Sequence, residues 1–143
     1  MPVADGEMQA YALTLDKFLD HAAKWTPQAE VVSAQPDGTL ARIGYGGLRD
    51  RARGVSQVLH DRGVRAGDRV ATLAWNSQAH LEAWYGIMAM GAVCHTLNPR
   101  LTPDQLAAMI TRSEARLLIV SHDLADLAGR LARAAAGNRV SAR

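Results

Sequence analysis

The stretch "GAVCHTLNPRL", Gly91 to Leu101, places Cys94, His95 and Thr96 side by side, with Asn98 and Pro99 just beyond. A thiol next to an imidazole is the pairing used in nucleophilic acyl transfer, provided the two side chains can meet. Ala92 to Leu97 reads as a strand, and neighbouring strand residues point to opposite faces. Cys94 and Thr96 then share one face and His95 takes the other, which argues against a nucleophile–base pair. Cys94 reads instead as a small buried apolar residue. A metal centre is not expected. His21, His60, His80, His95 and His122 include no pair at the i, i+4 spacing that puts two imidazoles on one helix face, and Cys94 has no second cysteine. "HLE", His80 to Glu82, aims its polar groups in different directions around a helix.

The ends of strands remain as places for chemistry. In open parallel sheets, ligands sit beyond the carboxyl ends of the strands. Two such ends are visible, Trp75-Asn76-Ser77 and His95 to Pro99, which makes Asn76, Ser77, His95, Thr96 and Asn98 the candidate ligand-facing residues. Each end also has a purely structural reading. Asn76 or Ser77 can cap the following helix, and Asn98-Pro99 is a turn signal. Trp75, Trp84 and Tyr85 read as core or interface residues. The chain has no G-x-x-x-x-G-K-[ST] phosphate loop, no G-x-G-x-x-G and no G-x-S-x-G elbow. "GYGG", Gly44 to Gly47, is too short for either glycine motif and reads as a turn into a helix. No catalytic, cofactor-binding or metal-binding residue is therefore assigned.

These residues need elements to position them. "TLDKFLDHAAKW" spaces Leu15, Phe18, Leu19 and Ala22 as a helix, with Thr14 as N-cap and Pro27 as its stop. "EVVSA" and "LARIGYG" flank "QPDG" and predict a hairpin. "GLRDRARGVSQVLHDRG" carries Leu48, Ala52, Val55 and Leu59 on one face and ends at Gly63, a residue able to take the left-handed conformation. "GDRVATLAW" is a turn and a buried strand. "SQAHLEAWYGIMAMG" puts Leu81, Trp84, Tyr85 and Met88 on one stripe. "TPDQLAAMITRSEA" opens with Thr102 as N-cap, Pro103 at the first helical position and Gln105 completing a capping box. "RLLIVS" is a third buried strand, and "DLADLAGRLARAAAG" a last helix ending at Gly137-Asn138. Strands at about 69–75, 92–97 and 116–121 thus alternate with helices. The fold class implied is α/β, with parallel strands in one sheet and helices on its faces, preceded by a short β-hairpin.

Length and composition agree with one domain. The chain has 143 residues, 48% of them hydrophobic, and a formal net charge of +2. Residues 1–12 read as a leader and 13–143 as the domain. No apolar run is long enough to span a bilayer. The N-terminus lacks the basic-then-apolar pattern of a secretory signal, so a cytoplasmic location is expected. The basic residues are dispersed and not interleaved with aromatics, so no nucleic-acid partner is expected.

From Gly67 to Ile110, "GDRVATLAWNSQAHLEAWYGIMAMGAVCHTLNPRLTPDQLAAMI" resembles the adenylate-forming (AMP-binding) enzymes, in particular their medium- and long-chain fatty-acid–CoA ligase branch. The succession "GDRVA", "N-S" opening a helix, and "GAV-HTLNPRL" carries the resemblance, which extends over residues 13 to 124. It implies the incomplete N-terminal part of an adenylation domain. The whole enzymes of that family join a carboxylic acid to ATP as an acyl-adenylate and then to coenzyme A, with Mg²⁺ assisting. A fatty acid is the implied substrate. The family's phosphate loop and catalytic lysine have no counterpart here, so the chain alone is expected to be inactive and to hold none of these cofactors. "RLARAAAGNRVSAR" departs from the family pattern. A half-built domain leaves apolar faces uncovered, so self-association is expected, with Trp84, Tyr85 and Met88 as the candidate surface. The rival readings are a non-catalytic, flavodoxin-like binding or interaction module and a degenerate remnant.

Overall fold

A computed structural model describes residues 14–140 of the chain, so the expected leader lies outside the described residues. The elements run α1 (Asp16–Trp25), β1 (Glu30–Ala34), β2 (Leu40–Gly44), α2 (Tyr45–Asp61), β3 (Arg69–Leu73), α3 (Gln78–Ala89), β4 (Val93–Leu97), α4 (Pro103–Ser113), β5 (Leu117–Val120), a 3₁₀ turn (His122–Leu124) and α5 (Ala125–Val140).

The apolar runs that predict strands become one parallel sheet in the order β4-β3-β5. Val70, Ala71, Thr72 and Leu73 of the central strand are all buried, as a strand covered on both faces requires. Its register sets Ala71 against His95 and Leu118, and Thr72 against Thr96 and Ile119. Alternation along β3 then builds two cores. Ala71 and Leu73 pack with Leu97, Leu106, Ala107 and Leu131, under α4 and α5. Val70 packs with Leu59, Val64, Ile87 and Ala92, under α2 and α3. The expected hairpin is present as the antiparallel pair β1–β2. Its turn carries Gly38 at φ +83°. There Asp37 accepts hydrogen bonds from the Thr39 hydroxyl and backbone N–H, which lower its pKa.

Helix ends follow their sequence signals unevenly. Thr102 and Gln105 form the full capping box, with Pro103 in the first turn. Gly63, past the end of α2, sits at φ +84°. Thr14 does not cap α1. The N-cap position is Leu15, without a side-chain cap, and Thr14 contributes its carbonyl to Lys17 N–H instead. The last helix does not stop at Gly137-Asn138 but continues to Val140.

Two apolar stripes also differ from expectation. On α1 only Leu19 and Ala23 are buried, while Leu15 and Phe18 are exposed, because the helix meets the domain along one side, over Leu48 and Ala52 of α2. On α3 the buried residues are Glu82, Ala83, Gly86 and Ile87. Leu81, Trp84, Tyr85 and Met88 are only half-buried. The reason is the α2–α3 crossing, which runs over small residues. A Cβ added at Gly86 would lie 2.7 Å from the Ala52 carbonyl oxygen and 2.8 Å from Val55 Cβ. The Ser56 hydroxyl donates to the Gly86 carbonyl at 2.7 Å, fastening the helices there. Glu82 is buried because Arg51 Nε, at 2.6 Å, and Gln78 Nε2, at 2.7 Å, satisfy the same carboxylate oxygen. That ion pair also raises the pKa of the Arg51 guanidinium.

Candidate functional site at the strand ends

β3 ends at Leu73, and the chain leaves the sheet through Ala74, Trp75 and Asn76. Ser77 is the N-cap of α3, in extended conformation, and its hydroxyl accepts the His80 backbone N–H at 3.3 Å. The neighbouring Gln78 N–H donates to Ser33 Oγ of β1 at 2.8 Å, so the hairpin is tied to the start of α3.

His80 closes the turn from above. Its Nδ1 lies 3.2 Å from the Trp75 carbonyl oxygen and its Nε2 lies 2.9 Å from Thr72 Oγ1. A carbonyl can only accept, so Nδ1 carries the proton. Nε2 is then free to accept from the Thr72 hydroxyl, which satisfies a polar group that is fully buried in the central strand. The Trp75 indole N–H donates to Asp123 Oδ2 at 2.7 Å, linking the end of β3 to the 3₁₀ turn after β5. At the end of β4, Asn98 forms an Asx turn. Its side-chain oxygen accepts the Arg100 N–H at 3.0 Å and its carbonyl accepts the Leu101 N–H at 3.1 Å.

Two clefts open over these ends. One, of about 470 Å³, has Val31, Val32, Leu81 and Trp84 as apolar walls and Ser33, Asn76, Ser77, His80 and Thr96 as polar groups. The other, of about 400 Å³, is lined by Ala74, Trp75, Asn76, His80 and Thr96, together with Leu97 to Arg100. Asn76, His80 and Thr96 belong to both.

Asn76, Ser77, Thr96 and Asn98 are thus brought to one region at the carboxyl ends of β3 and β4. His95 is not. It stands in register with Ala71, on the α4–α5 side of the sheet, and its buried Nδ1 has no hydrogen-bond partner among the described residues. His80, which the sequence pattern did not single out as a ligand-facing residue, sits at the centre. Its only sequence signal is its place three residues after the N-cap of the helix that follows a buried Thr-bearing strand. Cys94 is in register with Val70 and joins the α2–α3 core. Burial raises its thiol pKa, partly offset by a hydrogen bond with Thr72.

The chemistry this arrangement offers is hydrogen bonding beside an apolar wall. Among the described residues, Arg100 is the only Lys or Arg lining the clefts, and none of the described lining residues is a carboxylate. Among the described residues, no group of three or more His, Cys, Asp or Glu is placed to hold a metal ion. No helix among them is long and apolar enough to cross a membrane.

A model of the family described as AMP-binding enzyme matches residues 19–142. The chain is 41% identical over 113 residues to a 3-methylmercaptopropionyl-CoA ligase of Ruegeria lacuscaerulensis, an alignment covering 79% of this chain and 21% of that protein. It is also 41% identical over 115 residues to a long-chain-fatty-acid–CoA ligase of Thermus thermophilus, covering 80% and 21%. Among solved structures, a Mycobacterium tuberculosis fatty acyl CoA synthetase superposes with a TM-score of 0.73 at 25% identity, over 81% of this chain and 23% of that one. The chain spans about a fifth of the length of the curated relatives it matches.

Proposed function

We propose, from the premise that this chain belongs to the AMP-binding enzyme family, that it is the opening part of the adenylation domain of an acid–CoA ligase. The observation that supports this best is the 41% identity to two CoA ligases across the strand-bearing segment that builds both clefts. The function of residues 13–143 in that setting is architectural. β3, β4 and β5 set a parallel sheet, and His80, Ser77 and Asn98 hold its carboxyl-end turns in fixed shape.

ATP, Mg²⁺ and coenzyme A belong to the proposed whole enzyme, not to this chain. The strand-end residues do not fit a magnesium triphosphate. Ser77 Oγ and both ring nitrogens of His80 are already engaged within the protein, and the described residues of the clefts include one arginine and no carboxylate for a metal. Stabilising phosphate charge is usually the dominant catalytic contribution. The 143-residue chain alone is accordingly inactive in this reading. A cytoplasmic location completes the proposal.

The substrate proposed is a medium- or long-chain fatty acid. A second acid has a specific observation behind it, the relative that acts on 3-methylmercaptopropionate. The test uses the proposed whole enzyme, incubated with ATP, Mg²⁺, coenzyme A and a panel of saturated fatty acids, 3-methylmercaptopropionate, benzoate and amino acids. Mass spectrometry then reads the thioesters. Medium- or long-chain acyl-CoA is the expected product. Methylmercaptopropionyl-CoA alone would move the assignment to the second acid, and benzoyl-CoA alone would reject both.

A further inference from the structure

The cleft of about 470 Å³ between β1 and α3 gathers hydrogen-bonding groups that the described residues leave unpaired. Ser33 lines it and is only 6% exposed. Its Oγ accepts the Gln78 N–H at 2.8 Å, but its hydroxyl donates to no described residue. Ser77 Oγ accepts the His80 N–H, and its own O–H also has no acceptor among the described residues. The Asn76 amide and the Thr96 hydroxyl bond to none of them. Polar groups enclosed this way ordinarily find partners, most of all one as buried as Ser33. Beside them the wall is apolar and already in place. Leu81 and Trp84 are neighbours on one face of α3. The Trp84 ring is braced edge-to-face by Tyr85, with centroids 5.0 Å apart at 81°. Val31 and Val32 of β1 complete the wall, and the Ser33–Gln78 bond ties strand to helix, so a ligand has little to order on entry.

Charge selects the head of that ligand. None of the described lining residues is Lys, Arg, Asp or Glu, and both ring nitrogens of His80 are engaged with Thr72 and Trp75. A charged head would leave water with no counter-ion to meet it, which is costly, whereas a neutral carbonyl oxygen suits a ring of hydroxyl donors. The volume lies within the ~300–1,000 Å³ of small-molecule sites, and an apolar wall with a few convergent polar groups is their usual make-up. We propose that this cleft binds an unbranched acyl chain headed by an uncharged carbonyl, an amide or an ester, with the hydrocarbon along Leu81 and Trp84 and the carbonyl among the hydroxyls of Ser33, Ser77 and Thr96. An amide head also offers an N–H to the Asn76 side-chain oxygen. The ligand is distinct from the carboxylic acid proposed as the substrate of the whole enzyme, so this site stands or falls apart from that reading. Trp84, expected on a self-association surface, becomes part of a ligand wall instead.

The test titrates the ¹⁵N-labelled 143-residue chain with straight-chain amides from butanamide to octanamide, and with octanoate, followed by two-dimensional amide NMR. Saturable shifts are expected at the backbone amides of Ser33, Asn76, Ser77 and Thr96 and at the Trp84 indole N–H. Octanamide should bind with a Kd in roughly the millimolar range or below. Affinity should rise about fourfold per methylene as the chain covers the apolar wall. Octanoate should bind about tenfold more weakly than octanamide, or weaker still. Thr96→Lys changes an exposed side chain that has no partner among the described residues to lose, and should reverse that order, because an ammonium then meets the carboxylate. The spectrum of the variant also shows whether its fold is kept. The proposal is overturned by a wild-type chain without saturable shifts at these residues, by affinity that ignores chain length, or by octanoate binding as tightly as octanamide. A folded Thr96→Lys variant that still prefers the amide overturns it too. So do shifts at the same residues that follow protein concentration without ligand, which would make the cleft a contact between copies.

Discussion

Replacing Gly86 by alanine puts the α2–α3 crossing to a direct test. In a helix free of neighbours, that substitution stabilises by about 1 kcal/mol, because glycine is the poorer helix former. Here the new Cβ would stand 2.7 Å from the Ala52 carbonyl oxygen and 2.8 and 2.9 Å from Val55 Cβ and Cγ1. The first obstacle is backbone and the second a β-branched side chain with little rotamer freedom, so the helices themselves must part. Overpacking of this kind costs about 1–3 kcal/mol. Separation also stretches the Ser56–Gly86 hydrogen bond, worth about 1 kcal/mol. The balance is a net loss of about 1–3 kcal/mol, or a fall in Tm of several degrees at about 3–6 °C per kcal/mol for a chain of this size. Gly54 of α2 supplies the control, since nothing lies within 4 Å of a Cβ added there. Gly54→Ala should stabilise by about 0.4–1 kcal/mol. The assay is urea unfolding followed by circular dichroism, comparing midpoints at unchanged slope. If Gly86→Ala proves as stable as Gly54→Ala, the close crossing is wrong.

The strand-end turn should respond to His80→Ala with a loss of about 1–3 kcal/mol, because the buried Thr72 hydroxyl loses its imidazole acceptor, and His80→Ala/Thr72→Val should recover part of it in the same unfolding assay. Thr102→Ala removes the capping box of α4 and should cost about 1 kcal/mol in urea. Burial holds the Cys94 thiol above its ordinary pKa of 9.0. The unfolded chain therefore ionises first, binds fewer protons than the folded one above about pH 9, and stability must fall as pH rises. Unfolding midpoints measured from pH 8 to 10.5 should show that fall, and Cys94→Ala should make it shallower.

The parallel sheet was legible because its three strands are continuous apolar runs between strong helix signals. The capping box at Thr102 was legible for a similar reason, since it is local chemistry within four residues. The two misplaced stripes share one cause. α1 is apolar on two faces, and spacing alone cannot say which will find a partner. On α3 the eye goes to Trp84 and Tyr85, yet the buried line uses Ala83 and Gly86, because close helix approach needs small residues. Glu82 was unreadable as a buried group because its cation, Arg51, comes from 31 residues away on another helix. At the candidate site, the rule that ligands gather at strand ends pointed to Asn76, Ser77, Thr96 and Asn98, and the structure sets these four near one another. His80 was missed because its partners, Thr72 and Trp75, are joined to it only when the chain folds back from strand to helix. His95 was misassigned to the group by proximity in sequence, although its own alternation argument with Cys94 already sent it to the opposite face.

The central claim is that this chain is the opening, architectural part of an acid–CoA ligase. ATP–pyrophosphate exchange, run with a fatty-acid panel on the purified 143-residue chain and on the longer, proposed whole enzyme, tests it most directly. The account predicts no exchange above background for the short chain and acid-dependent exchange with medium- or long-chain fatty acids for the longer one. Exchange catalysed by the short chain, or a longer protein that activates no carboxylic acid at all, would contradict it.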